Sequence, residues 1–599
     1  MNEALKKPWR DGWFACAVLG TVFVALAAHT WRKWPDFVVD FGLQLYCPWK
    51  LSTGSVLYRD VAYLAGGPLS QYYHALLFKL FGTSFLTLVL SNLLISIVLL
   101  LILYRCFYAA SDQLTALTAG LAVVTGFVFA QHTSFGLFNY ITPYCSEIVH
   151  GLVLSVIALA LLSKWFWQEK LWLAVIVGFC DGLTFLTKPE IFLALNITIC
   201  AGLLLFWRAR NKPGFLLRSL GIMLAAAVIP LGAFFIYFWR MTGFREGWRD
   251  VCASWIPLLT THTAADPFYR WCMGLDAPAF YLRRMFFQSI GLAVILFAGA
   301  LLCRRRSPTL LRRSLPILAA IGLALLAPRF DWSECGRCLP VICLVTLTLL
   351  LWRVKVSGLE SRAVFPILWT LFSLGMLLKL GLFSRVWHYG FVLGMPAFLC
   401  AIYFLLWLLP RELERRNVQP VFLRGLIWLP LIVGLAQLTA HAMLPYAGKT
   451  VAVGAGADKM WVYNPQYRVD DTVMIGALQW MQTNAPAQST LAVLPVGNML
   501  NYLSRRSNPT RHPFWTPAEM AAFGQQEMTD DFIRHSPDYI IIIGMDFAGF
   551  GERYFGTSRR CGADLMQWLN AHYQQRCLIG DDWLKTGRFG LRIYQKSGS

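Results

Sequence analysis

Charge is scarce in this chain. Only 14% of its 599 residues are Asp, Glu, Lys or Arg, against about 25% in a soluble globular protein. The shortfall is mostly in acids, with 32 Asp and Glu against 53 Lys and Arg. A conventional water-soluble surface is therefore excluded for most of the length. The excess of base does not indicate nucleic acid, because the basic residues punctuate apolar runs and form no single patch. There are 15 cysteines but no disulfide framework. Many of them (Cys16, Cys180, Cys200, Cys303, Cys343, Cys400) lie inside apolar runs, where a thiol behaves as a small hydrophobe. The one CxxC, Cys335 and Cys338, lacks a second CxxC or a neighbouring His pair, which argues against zinc. A disulfide there stays open if its loop faces an oxidising side. No internal repeat is visible.

What the chain does have is apolar length. Hydrophobic residues make up 57% of it and aromatics 15%. Runs such as 12–28, 85–103 and 285–303 approach the ~20 helical residues that a hydrocarbon core of ~30 Å requires. Trp31, Trp34, Trp165, Trp167, Trp207, Trp239 and Trp352 stand at run ends, as in interfacial belts. Hydropathy and flanking charge predict about thirteen spanning segments. The loops between them alternate in character. One set is short and basic: Lys6, Lys7 and Arg10 at the start, then 164–170, 208–218, 304–313, 353–362 and 411–424. The other is longer, aromatic and mixed in charge: 30–84, 131–147, 240–284, 328–338 and 384–390. The positive-inside rule puts the first set in the cytoplasm and the second outside. The first segment also resembles a signal peptide, with a basic start and Ala25-Leu26-Ala27; its apolar stretch is long, so it is read as an uncleaved helix.

After about residue 445 the composition changes, and residues 1–444 and 445–599 are read as a membrane domain and a water-facing domain. Residues 470–483 read as an amphipathic helix and 490–494 as a strand. Thr516-Pro517-Ala518-Glu519 is a capping box that starts a helix. The run at 538–544 suits a buried strand, and 591–595 a last strand. Helices alternating with strands predict a small α/β domain.

The outer loops carry the chemistry. The first is about 50 residues long, well beyond the ~12–15 of a plain connection. It contains Asp36, Asp40, Arg59 and Asp60. The second ends at Glu147, with His150 just after, and the segment TKPE brings Lys188 and Glu190 to the same face. Carboxylates beside cations suit acid–base work on an anionic substrate.

An Asp shortly after the first helix, then LYCPWKLSTGSVLYRD and GPLSQYYHALLFKLFG, resembles the membrane glycosyltransferases of the GT-C fold. The resemblance is to glycosyltransferase family 39-like proteins of bacteria, relatives of the protein mannosyltransferases and of the lipid A aminoarabinose transferase. It extends through NYITPYCSEIVHG, GLTFLTKPE and WHYGFVLGMPA, and VLPVGNMLNYLSRRSNPTRH is similar to a tail of some members. Many members have an acidic pair, DE or DxD, after the first helix; here Asp36 and Asp40 stand four apart. The resemblance implies a polytopic α-helical protein of a bacterial inner membrane, its N-terminus cytoplasmic and its C-terminal domain periplasmic. It implies transfer of a sugar, with inversion, from a polyprenyl-phosphate donor to a lipid, glycan or protein acceptor at the outer face. Among membrane lipids and without nucleic acid, no cofactor is required, though a divalent metal stays open.

On this basis Asp40 is the expected general base, passing through an oxocarbenium-like transition state. Its bland alternative is a helix cap. Glu147, Asp36 and Asp60 are candidates for a second acidic, acceptor or metal role, although Asp36 follows Pro35 and reads as a turn residue, and Glu147 equally as a helix N-terminal charge. Lys188, Arg59, Arg283 and Arg284 are the candidate phosphate ligands; Lys188 otherwise snorkels and Arg59 pairs with loop charges. His388 and Tyr389 would line the acceptor site or serve an aromatic belt. Asp181, inside a helix, is read as pairing with Lys379. Asn501, Arg505, Arg506 and Arg511 are read as a solvated face. The rival functions are a transporter or flippase of lipid-linked saccharides, a polymerase or ligase of another membrane fold, and a membrane anchor for the C-terminal domain.

Overall fold

The computed structural model describes residues 12–133, 138–260, 266–304 and 310–598. Lys6, Lys7, Arg10, Arg305 and Arg306 of the basic segments lie outside the described residues, as do 134–137 of the second outer loop.

Among the described residues, eight helices are long and apolar enough to cross a membrane, from Phe85–Ala110 to Pro420–Ala447. Five shorter apolar helices accompany them: Trp13–His29, Gln113–Val128, Leu171–Phe185, Ser314–Arg329 and Val364–Leu377. Their ends follow the local sequence. Ser84 accepts from Thr87 N–H and Asp112 from Thr115 N–H, which satisfies donors left open at a helix start. Pro189, Pro213 and Pro420 occupy first positions, where the missing N–H costs nothing.

The long helices are apolar on both faces. On Phe85–Ala110, Leu88, Leu99, Leu103 and Phe107 are buried, while Leu90, Leu94, Ile97 and Leu101 are exposed at helical spacing. Such a row is suited to hydrocarbon and not to water. Ser146–Gln168 and Gly390–Glu414 are the innermost spans, and Pro267–Leu302 lies at the periphery. The basic loops are tied by ion pairs: Lys212–Glu169 at 2.6 Å, Arg424–Asp112 at 2.5 Å, and Arg353–Glu412.

The C-terminal domain begins where the Pro420–Ala447 helix ends, with an antiparallel ribbon of β1 (Lys449–Val453) and β2 (Met460–Tyr463). A four-stranded sheet follows: β3 (Leu491–Leu494), β4 (Tyr539–Ile543), β5 (Tyr573–Gly580) and β6 (Gly590–Lys596), in the order β3-β4-β6-β5. The β3–β4 pair is parallel and the others antiparallel, so three short helices must cross over between β3 and β4. On β4 the side chains alternate. Ile541 and Ile543 pack with Met474, Leu478 and Met481 of the Val469–Asn484 helix. Ile540 and Ile542 pack with Trp515 and Phe532.

This domain is seated on the long loop that follows the first helix. The loop forms two helices, Phe41–Ser52 and Pro68–Phe81. Backbone hydrogen bonds join Trp461 N–H to Arg32 O (2.9 Å) and Ala62 N–H to Arg511 O (2.8 Å). The Asp458 carboxylate accepts from Phe85 N–H at 2.8 Å. Two residues expected on a solvated face are buried here. Asn501 donates to Leu491 O at 2.7 Å, and Arg506 to Ala485 O at 2.8 Å; both close the chain after β3 and are withheld from solvent. Arg505 pairs with Asp458 at 2.6 Å and Arg511 with Glu527 at 3.4 Å.

Candidate active site

A cavity of about 570 Å³ opens where the long loops between helices meet the C-terminal domain. Its wall includes Asp40, Tyr144, Lys188, Glu190, Lys379, His388, Tyr389, His512 and Glu519. These come from seven separate stretches of sequence, which only the assembled helices bring together.

Asp40 is set by the turn before it. The Asp36 carboxylate accepts from Val38 N–H (3.0 Å) and Val39 N–H (2.9 Å). Asp40 then enters the Phe41–Ser52 helix with φ +46° and ψ −36°, a positive φ that is costly for a residue with a side chain. Its side chain makes no capping bond; it accepts instead from the Tyr144 hydroxyl at 3.3 Å. Cys145 (φ +47°) and His388 (φ +53°), also on the cavity wall, share the positive φ. Burial pushes Asp40 up to about 6, the Tyr144 bond holds it down, and the Asp36 charge pushes it further up. It can therefore gain and lose a proton near neutral pH.

Lys188 precedes the Pro189–Arg210 helix. Burial works against its charge, but Glu190, Cys145 and Glu147 outweigh burial and raise it above an ordinary lysine. Neither Lys188 nor Lys379 has a carboxylate within ion-pair distance among the described residues. Lys379 does not pair with Asp181 as expected; Asp181 accepts from Asn196 at 2.8 Å, a helix neighbour that satisfies it locally.

Glu147 lies behind the wall. It is fully buried, with Oε1 accepting from Tyr63 OH (2.5 Å) and Gln71 Nε2 (2.9 Å). Gly66, on the wall, packs directly over it. His388 accepts from Arg385 at 3.2 Å and packs on Phe138 and Tyr389. Burial and the Arg385 charge pull it down to about 3, so it stays neutral.

Besides Glu147, five expected site residues are not on this wall. Arg59 and Asp60 pair with each other at 2.8 Å, half-exposed. Arg283 and Arg284 lie exposed on the Pro278–Leu302 helix, and Arg284 pairs with Glu334 at 3.2 Å. Asp36 is engaged in its turn and in an ion pair with Arg468. Among the described residues no three His, Cys, Asp or Glu side chains converge as a metal site would need. The divalent ion left open above therefore finds no built set of ligands.

The sequence reading did not place Glu519, His512, Lys379 or Tyr144 in the site. The sequence marks Glu519 only as a capping-box residue; a helix does begin at Pro517, but Thr516 makes no side-chain cap bond to the backbone, and its hydroxyl donates to Glu519 instead. Glu519 nevertheless lines the cavity. Burial pushes it up to about 7, the Thr516 bond opposing and the Asp40 charge adding.

No family model and no curated protein matches the chain. Among solved structures it is similar to ArnT from Cupriavidus metallidurans in the apo state, at 14% identity and TM-score 0.44 over 98% of each chain. ArnT bound to undecaprenyl phosphate is similar at 13% identity and TM-score 0.43, over 97% of this chain and 98% of that one. The chain is likewise similar to the Archaeoglobus fulgidus oligosaccharyltransferase tethered to an acceptor peptide, at 13% identity and TM-score 0.43, over 89% of this chain and 70% of that one.

Proposed function

We propose that this chain is an integral-membrane glycosyltransferase. It moves a sugar from a polyprenyl-phosphate carrier to an acceptor hydroxyl at the outer membrane face, with inversion. The observation that carries this reading is one cavity holding both Asp40, at a positive φ and near its titration point, and two lysines, Lys188 and Lys379, that have no carboxylate within ion-pair distance among the described residues.

Asp40 takes the proton of the acceptor hydroxyl. The freed oxygen attacks the anomeric carbon, and the bond from that carbon to the phosphate oxygen breaks. The carrier phosphate leaves with one more negative charge than it brought. Lys188 and Lys379, both half-buried on the cavity wall, supply two cations to that growing charge. A phosphate is already a good leaving group, so no acid is needed to protonate it. His388 and Tyr389 give the wall an uncharged, aromatic face on which a sugar can rest.

The test is sugar transfer in membranes from a radiolabelled polyprenyl-phosphate sugar pool, comparing wild type with Asp40→Asn at equal protein levels. Consumption of label by wild type and its accumulation in the variant supports the reading. Equal transfer by the variant removes Asp40 as base. If wild type consumes no lipid-linked sugar, the enzyme assignment fails.

A further inference from the structure

The membrane domain supplies the base and both lysines, yet part of the cavity wall comes from the C-terminal domain. His512 and Glu519 stand there with Phe514 and Phe523. His512 is 1% exposed, and neither ring nitrogen has a hydrogen-bond partner among the described residues. Burial and the Arg511 charge pull it down to about 4, with Asp531 opposing, so it is a neutral ring with one donor and one acceptor to offer. A buried polar group without a partner is costly, and this one sits at a cavity where a ligand can satisfy it. Glu519 forms no ion pair among the described residues, and only Thr516 donates to it from a side chain. Phe268 and Phe550 stack at 4.9 Å on the same wall.

A neutral imidazole and a carboxyl beside aromatic faces is a set of donors and acceptors matched to a ring carrying several hydroxyls. We propose that His512 and Glu519 form an acceptor-positioning pair, through which the C-terminal domain holds a saccharide acceptor with one hydroxyl directed at Asp40. The pair rests on the reading of Asp40 as base. It assigns acceptor selection to the C-terminal domain and donor binding to the membrane helices.

The test uses the full chain in nanodiscs, a radiolabelled polyprenyl-phosphate sugar pool, and acceptors extracted from the same membranes. The extracts are used intact, after periodate cleavage of vicinal diols, or as delipidated protein. His512→Phe keeps the ring without its nitrogens, His512→Gln restores hydrogen bonding, and Glu519→Gln keeps the shape and the Thr516 contact. His512→Phe and Glu519→Gln should each raise the half-saturating acceptor concentration about tenfold, the effect of one lost buried hydrogen bond. Undecaprenyl phosphate affinity and melting temperature should not move, and His512→Gln should recover part of the loss. Periodate should abolish acceptor activity. An unmoved acceptor half-saturation, or a parallel loss of undecaprenyl phosphate binding, overturns the pair. Activity that survives periodate, or resides in the protein fraction, overturns the saccharide assignment. Asp40→Asn run alongside separates the two readings. If it is inactive while the pair variants behave as wild type, only the pair falls; if it is active, the base itself is wrong.

Discussion

Arg468 Nη1 donates to Asp36 Oδ2 across 2.7 Å, joining the C-terminal domain to the turn that presents Asp40. Asp36 is 2% exposed, and its other oxygen holds the Val38 and Val39 N–H groups. Lys449 adds hydrogen bonds to Lys33 O (2.7 Å) and Pro35 O (2.9 Å). The conformation of Asp40 is thus fixed from outside the membrane domain. Removing Arg468 leaves the buried Asp36 carboxylate without its ion-pair partner, which costs about 3–5 kcal/mol, whereas without Asp36 the Arg468 guanidinium keeps Asp470 at 3.1 Å. Arg468→Ala and Asp36→Ala should each lower thermal stability by several degrees and cut sugar transfer more than tenfold. The double variant should cost clearly less than the sum of the two, as measured by a double-mutant cycle on unfolding.

The pH dependence of transfer should report Asp40. A base must be deprotonated to act, and burial has raised this one to about 6. The kcat/KM should therefore be level above that pH and fall about tenfold per unit below it. Asp40→Asn should reduce transfer by about 10²–10⁴-fold and lose this acid limb. A limb that persists in the variant would belong to another group.

Lys188→Gln and Lys379→Gln should each raise the half-saturating donor concentration, because each removes one cation from the leaving phosphate. The double variant should be close to inactive in a radiolabel assay. Arg59→Ala, Arg283→Ala and Arg284→Ala should stay within about twofold of wild type, since surface pairs contribute about 0–1 kcal/mol and none of the three lines the cavity. A large loss in any of those three would relocate the phosphate site.

Much of the fold was legible because lipid and water each select sequence by simple rules. Apolar runs became helices, and the run around Ile540–Ile543 became a strand covered on both faces. The β5 strand was not visible, since Gln574, Gln575 and Arg576 on an exposed edge carry no apolar pattern. Asp40, Lys188, His388 and Tyr389, which line the cavity, stand out in the sequence through the motifs that resemble the GT-C glycosyltransferases; without them Asp40 reads as a helix cap. Arg59, Arg283 and Arg284 looked equivalent, yet a charge near a loop end does not reveal which way its side chain turns. Glu519 and His512 reach the cavity only through the docking of the C-terminal domain, more than 450 residues after Asp40. Local sequence explains Glu519 completely as a helix cap and so conceals its second role.

That docking can be tested at a single atom position. Gly42 lies two residues after Asp40, and a Cβ there would stand 2.1 Å from Met499 N and 2.7 Å from Asn498 C. Both are backbone atoms of the C-terminal domain, so no side-chain rotation relieves the overlap. Within a helix, Ala is otherwise favoured over Gly by about 1 kcal/mol, so any loss measures the clash. Gly42→Ala should separate the domain from the first loop, seen as faster proteolysis within residues 445–599, and should reduce transfer at least as much as Arg468→Ala. Gly20→Ala, where nothing lies within 4 Å, should behave as wild type in both assays. If Gly42→Ala were cleaved and active like wild type, the C-terminal domain would not need this seat, and its contribution of Glu519 and His512 to the cavity would be in doubt. If it were cleaved faster yet transferred normally, the membrane domain would suffice for catalysis.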